Sequence, residues 1–165
     1  MKSLEVKRKM SYNYENLIVG CGNILFKDDG FGPAVIEYMK KNEITLPGST
    51  CLIDGATSAP HYIFTLPEDK WKNIIIVDIA ELGLKPGEIR ILELSDVKEQ
   101  DRYMDVHGIT ATYPLHKLDD EINIKLVVCQ PEEVSEEMQL GLTKTLEYKI
   151  PETTDKILEV LQSML

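Results

Sequence analysis

The chain has 165 residues, enough for one domain with a full core. Its formal charge of −10 argues against nucleic acid and anionic membranes as partners, because binding phosphate needs a basic face. Cys21, Cys51 and Cys129 are odd in number and lack paired metal-type spacing, so a reduced, cytoplasmic setting is expected.

Residues 1–14 read as an N-terminal extension and 15–165 as a single domain. The opening is too charged for a signal-peptide core, and no apolar stretch approaches membrane-spanning length. Leu17 to Val19 is a short apolar β-type run that ends at Gly20, and Gly20 and Gly22 bracket Cys21, allowing a sharp turn past the strand. Gly20-Cys21-Gly22 departs from a dinucleotide fingerprint, since Leu25 stands where the third glycine belongs and two carboxylates would face the phosphates, which leaves a nucleotide-binding module as the least favoured of the competing readings. Asp28 and Asp29 precede a helix that includes Pro33 to Met39 and ends near Asn42. Asp28 alone reads as the cap of that helix; two adjacent acids exceed one cap and leave Asp29 for another role.

Leu46-Pro47-Gly48 makes a turn into a second strand, Thr50 to Ile53, followed by a loop from Asp54 to Ser58. A helix is expected from Ser58 through Leu66. Asn73 to Asp78 is a continuous β-branched run, the pattern of a buried parallel strand. Leu84 to Glu88 supplies a Pro-Gly turn of type II into Ile89 to Leu94, too short a link for a crossover helix, so a hairpin and an antiparallel edge strand are expected. His107 lies in a polar loop before a helix over Thr110 to Leu118, and Asn123 to Val128 is the last strand. Pro151 to Leu165 is expected as the final helix, with Ile157, Leu158, Val160 and Leu161 on one stripe. Alternating strands and helices with one hairpin give a three-layer α/β/α domain.

Acids fall at regular places. Asp29, Asp54 and Asp78 each follow a strand, and in a parallel sheet those carboxyl ends share one rim. His107 could join them, making a divalent-metal site suited to zinc, nickel or iron rather than calcium. Acid–base work is the alternative, since close like charges raise one carboxylate pKa. Each residue also has a plainer reading. Asp54 before Gly55 suits a turn, Asp78 a helix N-cap, and His107 a structural or surface histidine. His61 and His116 lack acidic company, and Glu132-Glu133 and Glu136-Glu137 read as a solvated face. Cys21 is the one conceivable thiol nucleophile and has no positioned base; Cys129 sits in an apolar run and reads as core.

Gly20 to Gly32 closely resembles the opening signature of the nickel–iron hydrogenase maturation endopeptidases, with its Gly-x-Gly-Asn start and Asp-(Asp/Glu)-Gly-x-Gly end. The likeness continues through Ile53 to Pro60, Ile76-Val77-Asp78, Gly83 to Arg90, His107 and Gln130-Pro131-Glu132, nearly the whole chain from Glu15 onward. The resemblance implies an endopeptidase that cleaves a short C-terminal extension from a hydrogenase large-subunit precursor after nickel insertion. It implies a mixed, mostly parallel five-stranded sheet with the fourth strand antiparallel. By position, the family's metal site falls on Asp29, Asp78 and His107, with Gly22, Asn23, Asp28, Asp54 and Gly55 in the supporting loops. Nickel would arrive with the precursor, although other divalent metals could occupy the site. Gly55-Ala56-Thr57 departs from the Gly-Gly pair of many members, which puts that loop's backbone shape in doubt. The opening motif points toward members serving the deazaflavin-reducing hydrogenases of methanogens. A monomer is expected. The competing readings are a metal-independent aspartate protease and a non-catalytic metal or precursor-binding chaperone.

Overall fold

The computed structural model describes residues 14–58, 71–93, 95–96 and 122–165. Strands β1 (Asn16–Cys21), β2 (Thr50–Ala56), β3 (Asn73–Ile79), β4 (Ile89–Glu93) and β5 (Asn123–Cys129) form one sheet in the order β2-β1-β3-β5-β4. All neighbours are parallel except β4, which runs antiparallel to β5 at the edge. The mixed, mostly parallel five-stranded α/β architecture is therefore the one expected. The Pro-Gly turn is also present: the Glu88 N–H donates to the Lys85 carbonyl at 3.0 Å, with Gly87 at φ 87°. It does not close a hairpin, however, because β5 lies between β3 and β4.

β3 is buried at every position, as its unbroken apolar run requires at the centre of the sheet. Its side chains feed two cores. Ile74 and Ile76 join Leu17, Val19, Leu126 and Val128 on one face. Ile75 and Val77 join Ile18 and Val127 on the other, under helices α1 (Phe31–Lys41) and α2 (Lys144–Met164). At the amino ends of the strands, Asn16 fixes the register: its Oδ1 accepts from Asn73 Nδ2 at 2.8 Å and its Nδ2 reaches the Ser49 carbonyl at 3.3 Å.

Helix α1 begins at Phe31, placing Pro33 in its first turn, and is capped by Asn42 as expected. Two boundaries differ from the sequence reading. β2 continues to Ala56 where a loop was expected, with a bulge: Gly20 pairs with Asp54 and Cys21 with Ala56. Helix α2 starts seven residues before Pro151, which therefore lies inside it rather than at its start. Pro151 is exposed there and leaves the Glu147 carbonyl without its helical N–H, while Thr153 and Thr154 donate their hydroxyls to the carbonyls of Lys149 and Ile150 at 2.7 and 3.0 Å. The extension over 1–13, most of the helix expected from Ser58, and the loop and helix around His107 lie outside the described residues.

Candidate functional site

Strand order places the site. The chain leaves β1 toward β2 on one side, and β3 then returns to the other side of β1, so the carboxyl ends of β1 and β3 flank the switch point where open α/β sheets bind ligands. Glycines let the backbone close around that point. A Cβ on Gly32 would stand 2.2 Å from the Cys21 carbonyl oxygen and 2.4 Å from that of Val77, and one on Gly22 (φ 130°) 1.9 Å from the Asp29 carbonyl oxygen. The first turn of α1 can therefore press against the ends of both strands.

Asp29, in the 3-10 turn Asp28–Gly30, is buried; its Oδ2 accepts the Asn23 N–H at 3.2 Å. Asn23 shapes the loop in turn, taking the Leu25 N–H on its own Oδ1 at 3.0 Å. Asp78 is 1% exposed within β3, and its Oδ1 accepts the Ile79 N–H at 2.8 Å. It caps no helix. Burial pushes its carboxyl well above the ordinary carboxylate range, the Ile79 hydrogen bond pulls against this, and the charge of Asp29 adds to the upward push. Cys21 belongs to the same cluster: burial raises its thiol far above the usual value, and the charges of Asp78 and Asp29 raise it further. A thiol so placed stays protonated, which argues against Cys21 as a nucleophile.

Asp28 does not cap α1, which has no side-chain cap. The chain turns so that this fully buried carboxylate faces the other way, toward 132–143. Its Oδ2 accepts the N–H groups of Glu132 and Glu133 at 3.0 and 2.9 Å, and its Oδ1 accepts the N–H and hydroxyl of Thr143 at 2.8 and 2.9 Å. Thr143 is the N-cap residue of α2, so the negative charge also sits at the positive end of that helix. Lys27, at φ 55°, adds a salt bridge to Glu133.

Asp54 stands apart from Asp29 and Asp78. It is exposed on edge strand β2, and its charge is not among those acting on Cys21 or Asp78. Its Oδ1 accepts the Ala56 N–H at 3.1 Å, the turn-forming role that Asp54 before Gly55 suggests. Ala56 itself holds φ 46°, the left-handed conformation a Gly-Gly pair would adopt without strain.

His107 lies outside the described residues, as do His61 and His116. Among the described residues, no group of three or more His, Cys, Asp or Glu side chains forms a metal site. The two carboxylates brought together, Asp29 and Asp78, are oxygen donors whose mutual repulsion a divalent cation would relieve. Gln130 is a structural residue at this rim whose role sequence reasoning missed. Its Oε1 accepts the N–H groups of Leu82 and Leu84 at 2.8 and 3.3 Å, and its Nε2 donates to Glu81 at 2.8 Å, fixing the chain between β3 and β4. Its position directly after β5, at the shared rim, was the available signal.

The hydrogenase maturation protease family model matches residues 33–160. The chain is 39% identical over 155 residues to the coenzyme F420 hydrogenase subunit delta of Methanothermobacter thermautotrophicus, covering 91% of this chain and 96% of that one. It is 32% identical over 148 residues to a putative hydrogenase maturation protease of Methanocaldococcus jannaschii, covering 88% and 92%. The solution structure of an endopeptidase HycI from Escherichia coli superposes with a TM-score of 0.70 at 26% identity, covering 89% of this chain and 90% of that one. The chain belongs to the hydrogenase maturation protease family and is a peptidase of that family.

Proposed function

We propose that this peptidase removes a C-terminal extension from the nickel-loaded large-subunit precursor of a nickel–iron hydrogenase, with Asp29, Asp78 and His107 as ligands to the nickel that the precursor carries. The observation behind this reading is the buried pair of carboxyl groups, Asp29 and Asp78, at the switch point, where the charge of Asp29 adds to the upward push that burial exerts on Asp78. A protein that lacks a tight metal of its own and borrows one from its substrate acts only on loaded precursor. The borrowed nickel would supply Lewis-acid polarisation of the scissile carbonyl or of a water. The chain's own part is to hold that centre against Asp29 and Asp78, orient the peptide and exclude bulk water with the glycine-packed loops. The identity to a coenzyme F420 hydrogenase subunit supports the large subunit of such a hydrogenase as the substrate. A cytoplasmic monomer fits this role; Cys21, Cys51 and Cys129 are all free thiols, and no described helix is long and apolar enough to cross a membrane.

The test is mass spectrometry of the large-subunit precursor from the same genome, incubated with the protein with and without bound nickel. Loss of a C-terminal peptide from the nickel-loaded sample alone is the expected result; binding of loaded precursor without shortening would overturn the reading. A metal-independent dyad, in which Asp29 and Asp78 share a proton, is the second reading, favoured by the raised Asp78 carboxyl. It requires equal cleavage without nickel and near-intact activity in His107→Ala.

A further inference from the structure

Two irregular segments, 22–28 and 132–143, are joined backbone to backbone beside the site. The Lys27 N–H donates to the Gln139 carbonyl at 2.8 Å, the Gln139 N–H to the Leu25 carbonyl at 2.7 Å, and the Asp28 N–H to the Glu133 carbonyl at 3.2 Å. The Asp28 carboxylate ties the same segments from beneath. Together they expose Ile24, Met138 and Leu140, which keep 54%, 75% and 72% of their surface in solvent. Met138 and Leu140 flank Gln139, and the Cα of Ile24 would stand 3.0 Å from a Cβ on Gly30, the residue after Asp29. Apolar side chains so exposed, on segments tied to each other and with Ile24 packed on the residue after Asp29, mark a contact surface. Glu132, Glu133, Glu136 and Glu137 are exposed along the same segment, and Lys27 beside them is already bridged to Glu133.

The geometry points to this surface as the docking site of the precursor polypeptide, through a segment in which apolar side chains stand beside lysine or arginine. The inference rests on the proposed function: a peptide bond brought to Asp29 and Asp78 belongs to a chain that passes over Ile24. The glutamates select the charge of that chain, since an acidic segment would meet like charge across the contact. They also oppose a second copy of this protein, whose own glutamates would face them in a two-fold contact. Because the two segments are already hydrogen-bonded to each other, little ordering accompanies binding.

The test compares wild-type protein, the double variant Met138→Asp/Leu140→Asp and the double variant Glu136→Lys/Glu137→Lys. The probe is the nickel-loaded large-subunit precursor from the same genome, with cleavage followed by mass spectrometry and circular dichroism confirming native folding. The expected result is a KM raised about ten-fold or more in each variant with kcat within about two-fold, the signature of lost docking rather than lost chemistry. Wild-type KM should rise with salt, and the lysine variant should lose that dependence. Unchanged KM in both variants alongside normal wild-type cleavage would overturn the docking surface and leave the proposed function standing. A wild-type dimer that the aspartate variant makes monomeric, with KM unchanged, would assign the surface to self-association and also overturn it. No binding and no cleavage by wild type would remove the proposed function and this inference with it.

Discussion

Asp28 and Asp29 are adjacent in sequence and do different things because a single turn of 3-10 geometry sends their side chains to different neighbours. Asp29 faces the ends of β1 and β3; Asp28 is buried against the chain that leads into α2. Asp28→Asn would place an amide among donor groups and remove the charge that holds them. The expected loss is about 2–4 kcal/mol, the range for a buried, multiply bonded charged group. At about 2–4 °C per kcal/mol for a chain of this size, thermal unfolding followed by circular dichroism should show Tm falling by roughly 5–15 °C. A Tm within a degree or two of wild type would mean the carboxylate is not the staple it forms here. The double acid was legible in the sequence as one more carboxylate than a cap requires, and that argument left Asp29 for another role; the structure buries it where its charge acts on Asp78. It misassigned Asp28, because cap chemistry is local whereas the true partners, Glu132, Glu133 and Thr143, are over a hundred residues away.

At the scale of elements, β1, β3 and β5 were readable as apolar runs bounded by turn residues and β4 from the Pro-Gly turn before it, and β3 could not be mistaken for an amphipathic helix. Helix α2 was read short because proline at a first helical turn is the commoner arrangement. The correct signal was the apolar spacing upstream, Leu146 and Ile150 leading into Ile157 and Leu161 at helical intervals. Pro151 has no N–H to offer the Glu147 carbonyl, a defect worth about 3 kcal/mol in a helix interior, partly offset by roughly 1 kcal/mol because proline stiffens the unfolded chain. Pro151→Ala should therefore stabilise the protein by about 1–2 kcal/mol, measured by urea unfolding; destabilisation would show that packing around α2 depends on the proline. The opposite sign is expected of Gly32→Ala. Its Cβ would meet the carbonyls of Cys21 and Val77, backbone atoms at the centre of the sheet that cannot step aside. A loss of about 3 kcal/mol or more should exceed the gain of about 1 kcal/mol from alanine's helix propensity. The same denaturation series would show it.

Across the whole molecule, the sheet order turns three distant stretches of sequence into one rim, which is why strand-terminal acids can be grouped from the sequence, while Asp54, followed by Gly55 on the exposed edge strand, takes the turn-forming role that this pair suggests. That grouping has a consequence for global stability. Asp78 is deep in the sheet with its carboxyl pKa raised, first by burial and then by Asp29. The unfolded chain releases this proton near the ordinary aspartate value of about 3.9, while the folded chain keeps it to higher pH. Within that window the folded state binds more protons than the unfolded state, so the Asp78 contribution to stability falls as pH rises and levels off above the folded pKa. The self-repulsion of a chain with formal charge −10 acts in the same direction above neutrality. Asp78→Asn removes the first effect and leaves the second. Tm measured from pH 5 to pH 8 on the metal-free protein should therefore decline less steeply in Asp78→Asn than in wild type, the gap in favour of the variant widening with pH. The same variant should lose cleavage of nickel-loaded precursor if Asp78 is the ligand that the proposed function requires. A parallel pair of curves would mean that Asp78 titrates alike in both states and that burial exerts no such pressure on it. A stabilised but inactive variant would show that this carboxylate is kept at the expense of the fold, as a site for a cation brought by the substrate would require.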